Sequence, residues 1–494
     1  MRRTVLFLLL LVTALPVIGQ DGIHVRSCRP GLERIDVSKY TQRRASALRR
    51  TDSDTVANPY IGERRQLVVL AEFADQGFLG DSLQTLEQWD KILNARNLSD
   101  TVLYGSLHDY FYDQSYGQLD LGFDLFYVGV DSMKKYRSTY YDDENSKYLV
   151  QDVAKVLEDR IDDWAPYDWD NDGLIDQLLI VYAGKGQQDG GSSNTIWAHQ
   201  LWLSEHLNAS PVKVDSIGKD YFIDAYCCVQ EISRNDDYGS FGTLCHEYSH
   251  CFGLPDFYNG STGYVGKWDL MDDGNYSGGG FHPCGYSAFE RAFMGWLTPV
   301  ELKNDTVIEG MQALSDAPIS YLVRNEGWAD EYYLVENRQK KGWDEFLPGS
   351  GIVVFHLDYD EEVFLMGEVN TDKKQRYMII PANDTTYVLS KYMKGWAYPY
   401  NGNNSLTNIS KPAAELNNPN IDGSLLMSKP ITEMAVAEGI ASFSYSNFLT
   451  DVPYIPEQRY NNGDQWFTID GRPLQGKPAV HGLYIRQGKV VLVR

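Results

Sequence analysis

Positive charge is what this chain has least of. Its 44 Lys and Arg stand against 68 Asp and Glu, a formal net charge of −24 over 494 residues. A surface of that sign repels phosphate backbones, which argues against nucleic acid as a partner. Long apolar runs are equally scarce. The one near the start, Val5 to Ile18, is short for a membrane span, and no later stretch approaches the roughly 20 residues a span needs. No stable membrane insertion is expected. Cysteine is limited to Cys28, Cys227, Cys228, Cys245, Cys251 and Cys284. Cys227 and Cys228 are adjacent, and Cys245 and Cys251 fall on different faces of one expected helix, so the pairing stays open. A chain this long does not need staples. Internal repeats and low-complexity tracts are also missing.

What is present begins with MRRTVLFLLLLVTALPVIGQDG, a basic start, an apolar stretch and a small-residue ending. This is the pattern of a signal peptide, assigned to residues 1–20, and it implies a secreted or cell-surface protein. Residues 21–61 form a basic leader carrying the pairs Arg43–Arg44 and Arg49–Arg50, and read as a removable pro-segment. From Gln66 the text becomes regular. Gln66 to Ala74 and residues 176–186 read as buried strands, 106–130 as a helix, a turn at Gly117 and a strand, and 147–161 and 241–253 as helices. Beyond Pro299, short alternating runs such as EYYLVENRQ and GIVVFHLDYD read as antiparallel strands, and the Asn-rich stretch 400–422 as a long surface loop.

The chemistry concentrates in TLCHEYSHCFGLPDFY, residues 243–258. His246 and His250 are one helical turn apart on one face, so both imidazoles can reach one ion. Glu247 sits beside the first of them, placed to reach a metal-bound water: the H-E-x-x-H arrangement. Catalytic zinc takes three protein ligands and an open fourth position. Gly253 can end the helix at positive φ and turn the chain back. Asp256 then returns towards the ion as third ligand, with Glu290 in SAFERAFMGW as the competing choice.

The string His246-Glu247-x-x-His250-x-x-Gly253-x-x-Asp256 resembles the metzincin zinc peptidases, and Met271 in KWDLMDDG supplies the methionine turn expected beneath such a metal. More narrowly, GLPDFY, GKWDLMDDG and SAFERAFMGWLTP resemble the immune-inhibitor-A-like family of secreted bacterial metalloproteases. DYFYDQSYGQL, DNDGLIDQLLIVYAG and EYYLVENRQKKGWDEFLPGSGIVVFHLD extend the likeness over roughly residues 64–360. The resemblance implies a secreted zinc-dependent endopeptidase acting on proteins or peptides; the likeness does not extend to the basic leader, which by itself points to a zymogen. Glu247 would be its general base, and Tyr276 or Tyr286 could assist the oxyanion. Cys28, in SCRPGL, could hold a latent form by placing a thiolate on the metal. The implied fold is α+β or α/β: a metzincin-like peptidase domain at 62–300, an antiparallel β-sandwich-like domain at 301–450 and a small β tail at 451–494. The tail resembles the sorting domains of secreted bacterial proteins, or is simply a closing hairpin. The rival functional reading is a surface adhesin or glycan-binding protein with an inert peptidase-like unit.

A second cluster, DWDNDGLID, spaces Asp168, Asp170, Asp172 and Asp176 around Gly173. Alternate carboxylates of this kind suit a structural calcium ion, although Leu179 stands where an EF-hand would need Glu. His108, His199, His282 and His356 have no ligand spacing to one another and read as structural.

Overall fold

The run RQLVVLAEF lies at the centre of a sheet. It belongs to β1 (Gly62–Phe73), whose residues Leu67 to Ala71 are wholly buried, as an apolar run covered on both faces of a parallel sheet must be. The computed structural model describes residues 58–447, apart from 138–142, 217, 234–238, 260–262, 372–373, 387 and 389, and residues 465–493, apart from 470, 481 and 487–488. The expected signal peptide, nearly all of the expected pro-segment and Cys28 lie outside the described residues.

β1 pairs in parallel with β2 (Leu119–Val130) and β4 (Leu178–Lys185). β4 pairs in parallel with β8 (Ala225–Ile232), and β5 (His199–Trp202) closes the edge antiparallel, giving the order β2-β1-β4-β8-β5. A smaller sheet joins β3 (Leu174–Ile175) to the hairpin β6 (Val212–Ser216) and β7 (Lys219–Ile223). Helices α1 (Ser82–Asn94), α2 (Leu107–Gln114) and α3 (Ser146–Glu158) alternate with these strands. Asp81 and Ser106 cap α1 and α2 through reciprocal capping boxes, which satisfy N–H groups the helix itself leaves unpaired.

Helix α4 (Phe241–Cys251) is buried on every side from Phe241 to His250, between β8 and the segment that follows the methionine turn. That enclosure explains why it shows no polar face. The packing is tight enough that a Cβ on Gly242 would meet the Asn275 carbonyl oxygen at 1.8 Å. Helix α5 (Ala288–Phe293) follows, capped by Ser287.

Past residue 300, β9 (Val300–Glu301), β11 (Tyr321–Arg324), β12 (Glu331–Arg338), β13 (Gly351–Asp358) and β14 (Tyr377–Ile379) form a five-stranded sheet. Its pairs are antiparallel except β9 with β11. A three-stranded sheet joins β10 (Thr306–Met311), β16 (Ile440–Tyr445) and β15 (Ile431–Ala437). β12 is buried along its whole length, and its side chains divide by alternation. Tyr333 and Val335 join Ile308, Ile431 and Phe443 in one core, while Tyr332 and Leu334 join Phe257, Phe289 and Tyr377 in another that reaches α4. The stretch 400–422 is more than a surface loop, since Leu406, Ala414 and Leu416 are buried in the first of those cores. Residues 58–447 accordingly pack as one unit, without a break at 300. Residues 465–493 form a separate four-stranded antiparallel sheet of β17 (Trp466–Thr468), β18 (Pro473–Leu474), β19 (Gly482–Arg486) and β20 (Lys489–Val493), in the order β18-β17-β19-β20. Among the described residues no helix is long and apolar enough to cross a membrane.

Candidate metal centre

His246 and His250 project from one face of α4, with ring centroids 4.8 Å apart and planes nearly perpendicular. Each ring is held from behind: His246 Nδ1 lies 3.0 Å from the Leu270 carbonyl oxygen and His250 Nδ1 lies 2.8 Å from that of Leu254. A carbonyl can only accept, so both Nδ1 atoms carry a proton and Nε2 is the nitrogen that each ring can offer a metal. Helix α4 ends at Cys251, and Gly253 takes φ +96°, donating its N–H back to the His250 carbonyl at 2.8 Å. This reversal delivers two things. The Leu254 carbonyl arrives behind His250, and Asp256 arrives in front of both rings.

Asp256 Oδ1 stands 3.1 Å from His246 Nε2 and 3.3 Å from His250 Nε2. Ligand atoms of a tetrahedral ion with bonds of about 2.0–2.1 Å stand about 3.3–3.4 Å apart, so Asp256 Oδ1 already lies at close to coordination-edge spacing from both ring nitrogens. His246 Nε2 and Asp256 Oδ1 are buried, and neither is aligned for a hydrogen bond with any described residue. Buried polar atoms without partners are costly, and a cation shared among them removes that cost. The donor set therefore fits zinc. Burial alone would push His246 down, but contact with the Asp256 carboxylate, with Glu247 and the Leu270 carbonyl behind it, raises the imidazole to about 9. Burial alone would lift Asp256, but the His250 charge and the contacts with both rings pull its carboxyl well below the usual range. The pocket favours positive charge at this point.

Glu247 is buried beside this group, and burial raises its carboxyl, with His246 and His250 pulling the other way. The methionine turn lies below. The Met271 carbonyl accepts the Phe257 N–H at 3.0 Å, and Leu270 is the residue whose carbonyl holds His246. A cleft beside His250 and Asp256 is lined by Trp202, His206, Phe364 and Met366.

Glu290 is placed elsewhere. Its Oε2 accepts the Ser287 N–H at 2.6 Å in the capping box of α5, and it does not join the three converging ligand atoms. Tyr286 is wholly buried, with its hydroxyl 2.5 Å from Ser249 Oγ and its ring stacked on Trp296. That is a packing role. Tyr276 is half-buried. Burial raises its phenol, against a hydrogen bond with Asn275, and the Glu247 charge adds to the rise. His199 is buried on β5 against Tyr226 and Cys228, with Nε2 3.0 Å from the Tyr226 hydroxyl. Sequence reasoning missed Tyr258, whose ring stacks 6.4 Å from His246, although its place two residues after Asp256 was a usable signal. The carbonyls of Leu254 and Leu270 left no signal in side-chain identity.

At the second cluster, Asp168, Asp170 and Asp176 bring carboxylate oxygens within 4.8 Å of one another. Asp172 does not join them. Its Oδ1 accepts the Leu174 N–H at 2.8 Å, closing a local turn instead. Asp168 also pairs with Lys219 Nζ at 3.1 Å.

Residues 104–297 match the model of the immune inhibitor A peptidase M6 catalytic domain. That stretch resembles the catalytic domain of the immune inhibitor A peptidase family. Immune inhibitor A of Bacillus thuringiensis subsp. alesti is 27% identical over 194 residues, covering 33% of this chain and 27% of that protein. The pre-pro-metalloprotease PrtV of Vibrio cholerae serotype O1 (strain M66-2) is 30% identical over 134 residues, 25% of this chain and 14% of that one. The chain thus spans about a quarter or less of these relatives. The peptidase match contains His246, Glu247, His250, Asp256 and Met271.

Proposed function

We propose that this chain is a secreted zinc-dependent endopeptidase made as a zymogen, with His246, His250 and Asp256 as zinc ligands and Glu247 as general base. The observation that carries the reading is the convergence of two Nε2 atoms on one carboxylate oxygen at 3.1 and 3.3 Å, in a buried pocket where His246 Nε2 and Asp256 Oδ1 have no aligned hydrogen-bond partner among the described residues. Zinc bound there supplies a positive charge that acidifies a water towards a pKa of about 7 and polarises a peptide carbonyl. Glu247 takes the proton of the attacking water and hands it to the departing amine. Its raised carboxyl suits that task, because a base works best when its pKa approaches the working pH. Tyr276 would steady charge developing on the carbonyl oxygen. The metzincin-like arrangement is supported by the helix, the glycine reversal and the methionine turn occurring in that order around one site. Export and latency rest on the signal-like start and basic leader, and on the name of the matched relative PrtV, a pre-pro-metalloprotease. The tail sheet at 465–493 would serve as a sorting domain, and the sheets past 300 as a sandwich-like brace for the cleft. A structural calcium at Asp168, Asp170 and Asp176 is part of the same proposal.

The intact Glu247 and the peptidase match both speak against an inert surface adhesin. Casein hydrolysis with and without a zinc chelator, alongside Glu247→Ala, tests the reading. Chelation should abolish cleavage and zinc restore it, and the variant should lose about 10²–10⁴-fold in kcat while retaining zinc. Cleavage that survives both treatments would rule the mechanism out.

A further inference from the structure

The family match ends at 297, yet the metal centre leans on a residue 80 positions further on. Tyr377, on β14, is wholly buried. Its hydroxyl donates to Asp269 Oδ2 at 2.8 Å and lies 2.9 Å from Ser287 Oγ. The other oxygen of Asp269 accepts the Met271 N–H at 2.9 Å, which folds the methionine turn around Leu270, and the Leu270 carbonyl holds His246. The Tyr377 ring stacks on Phe257 with centroids 3.9 Å apart, and Phe257 is the neighbour of Asp256. Asn370 locks the same pair, donating to the carbonyls of Phe257 at 2.8 Å and Tyr377 at 2.9 Å. One side chain therefore touches both loops that complete the site, the loop bringing Asp256 and the turn orienting His246.

We propose that Tyr377 is a positioning residue for the metal centre, its hydroxyl setting the methionine turn and its ring backing the limb that presents Asp256. This rests on the reading of His246, His250 and Asp256 as a zinc site. Groups behind metal ligands fix their orientation, and removing one typically weakens metal binding by about 10–100-fold. A plain packing role would make Tyr377 interchangeable with Phe, which keeps the ring stack and removes only the hydroxyl.

The test compares parent, Tyr377→Phe and Val335→Ala. Val335 lies in the other core, which also holds Ile352 and Phe443, and serves as a destabilised control. Zinc affinity is measured by competition with a chromophoric chelator, melting of the metal-free protein by calorimetry, and kcat and KM on a peptide. Tyr377→Phe is expected to weaken zinc binding by about 10–100-fold and to lower kcat with KM nearly unchanged, beyond anything Val335→Ala does at equal or greater loss of melting temperature. Zinc affinity within about twofold of the parent would overturn the proposal, as would an equal loss in Val335→Ala. A parent protein that holds no zinc would sink the peptidase reading and this inference with it, and the parent's own metal content tells that failure apart.

Discussion

His246 is fixed at both ends of its ring, by the Leu270 carbonyl behind Nδ1 and by Asp256 before Nε2. The residue that secures Leu270 is Asp269, and it is an acid in an unusual setting. Burial lifts its carboxyl to about 7, although the Tyr377 hydroxyl and the Met271 N–H pull the other way. The unfolded value is about 3.9, so across the window from about 4 to about 7 the folded protein binds more protons than the unfolded chain. The contribution is then fully present below the window and lost as pH rises through it. Melting temperature of the metal-free protein, held in chelator throughout, is expected to fall from pH 4 to pH 7. Glu290 and Glu336 are raised by burial too and share in the parent's slope, so the informative quantity is a difference. Asp269→Asn, which cannot titrate, should fall less steeply over that range. Parallel slopes for variant and parent would remove Asp269 from the account.

At the level of elements, legibility follows the range of the interactions. Helix α4 could be read because a spacing of four puts His246 and His250 on one face, and a metal pair needs nothing further along the chain. β1 and β4 could be read because strands covered on both sides are continuously apolar. Asp256 could be read only as far as the glycine turn before it, and Glu290 stayed open as a rival until the capping box of α5 was seen to occupy it. The sharing of one sheet between two cores left no local period, since the residues that meet, such as Tyr377 and Asp269, are 108 positions apart. The loop before β3 shows the same limit at short range. Four acids were legible as a cluster, but backbone N–H groups claim Asp172, and that competition is decided by the turn geometry. Three carboxylates within 4.8 Å repel one another, and a bound cation relieves that repulsion; Lys219 pairs with Asp168. Calcium at about 1–5 mM, in the range of extracellular sites, should therefore raise the melting temperature by about 1–3 °C with zinc held constant. Asp170→Asn should abolish that response. A calorimetric trace indifferent to calcium would leave Lys219 as the loop's counter-ion.

For the whole molecule, the boundaries matter most. Neither end of the peptidase match is an end of the packing. Downstream, β12 and β14 furnish the floor beneath Phe257. Upstream, the residues assigned to the end of the pro-segment are already tied to the body. Asn58 Nδ2 donates to the Met294 carbonyl at 2.8 Å, Trp296 Nε1 donates to the Tyr60 carbonyl at 2.8 Å, and the Tyr60 hydroxyl donates to the Phe252 carbonyl at 3.2 Å. The Tyr60 ring also packs edge-on against Phe252, whose carbonyl precedes Gly253, the reversal that presents Asp256. Removing residues 58–61 would strip one hydrogen bond and an aromatic contact from the end of the metal-bearing helix, and two more hydrogen bonds from Met294 and Trp296. An activating cleavage that spares the site must fall before Asn58, in the basic stretch that carries Arg43–Arg44 and Arg49–Arg50. N-terminal mass spectrometry of the exported, active protein should find its first residue upstream of Asn58. A form engineered to start at Gly62 should melt lower and bind zinc more weakly than one starting at Thr51. A native active species that begins at Gly62 or later would show that these contacts are dispensable to the site.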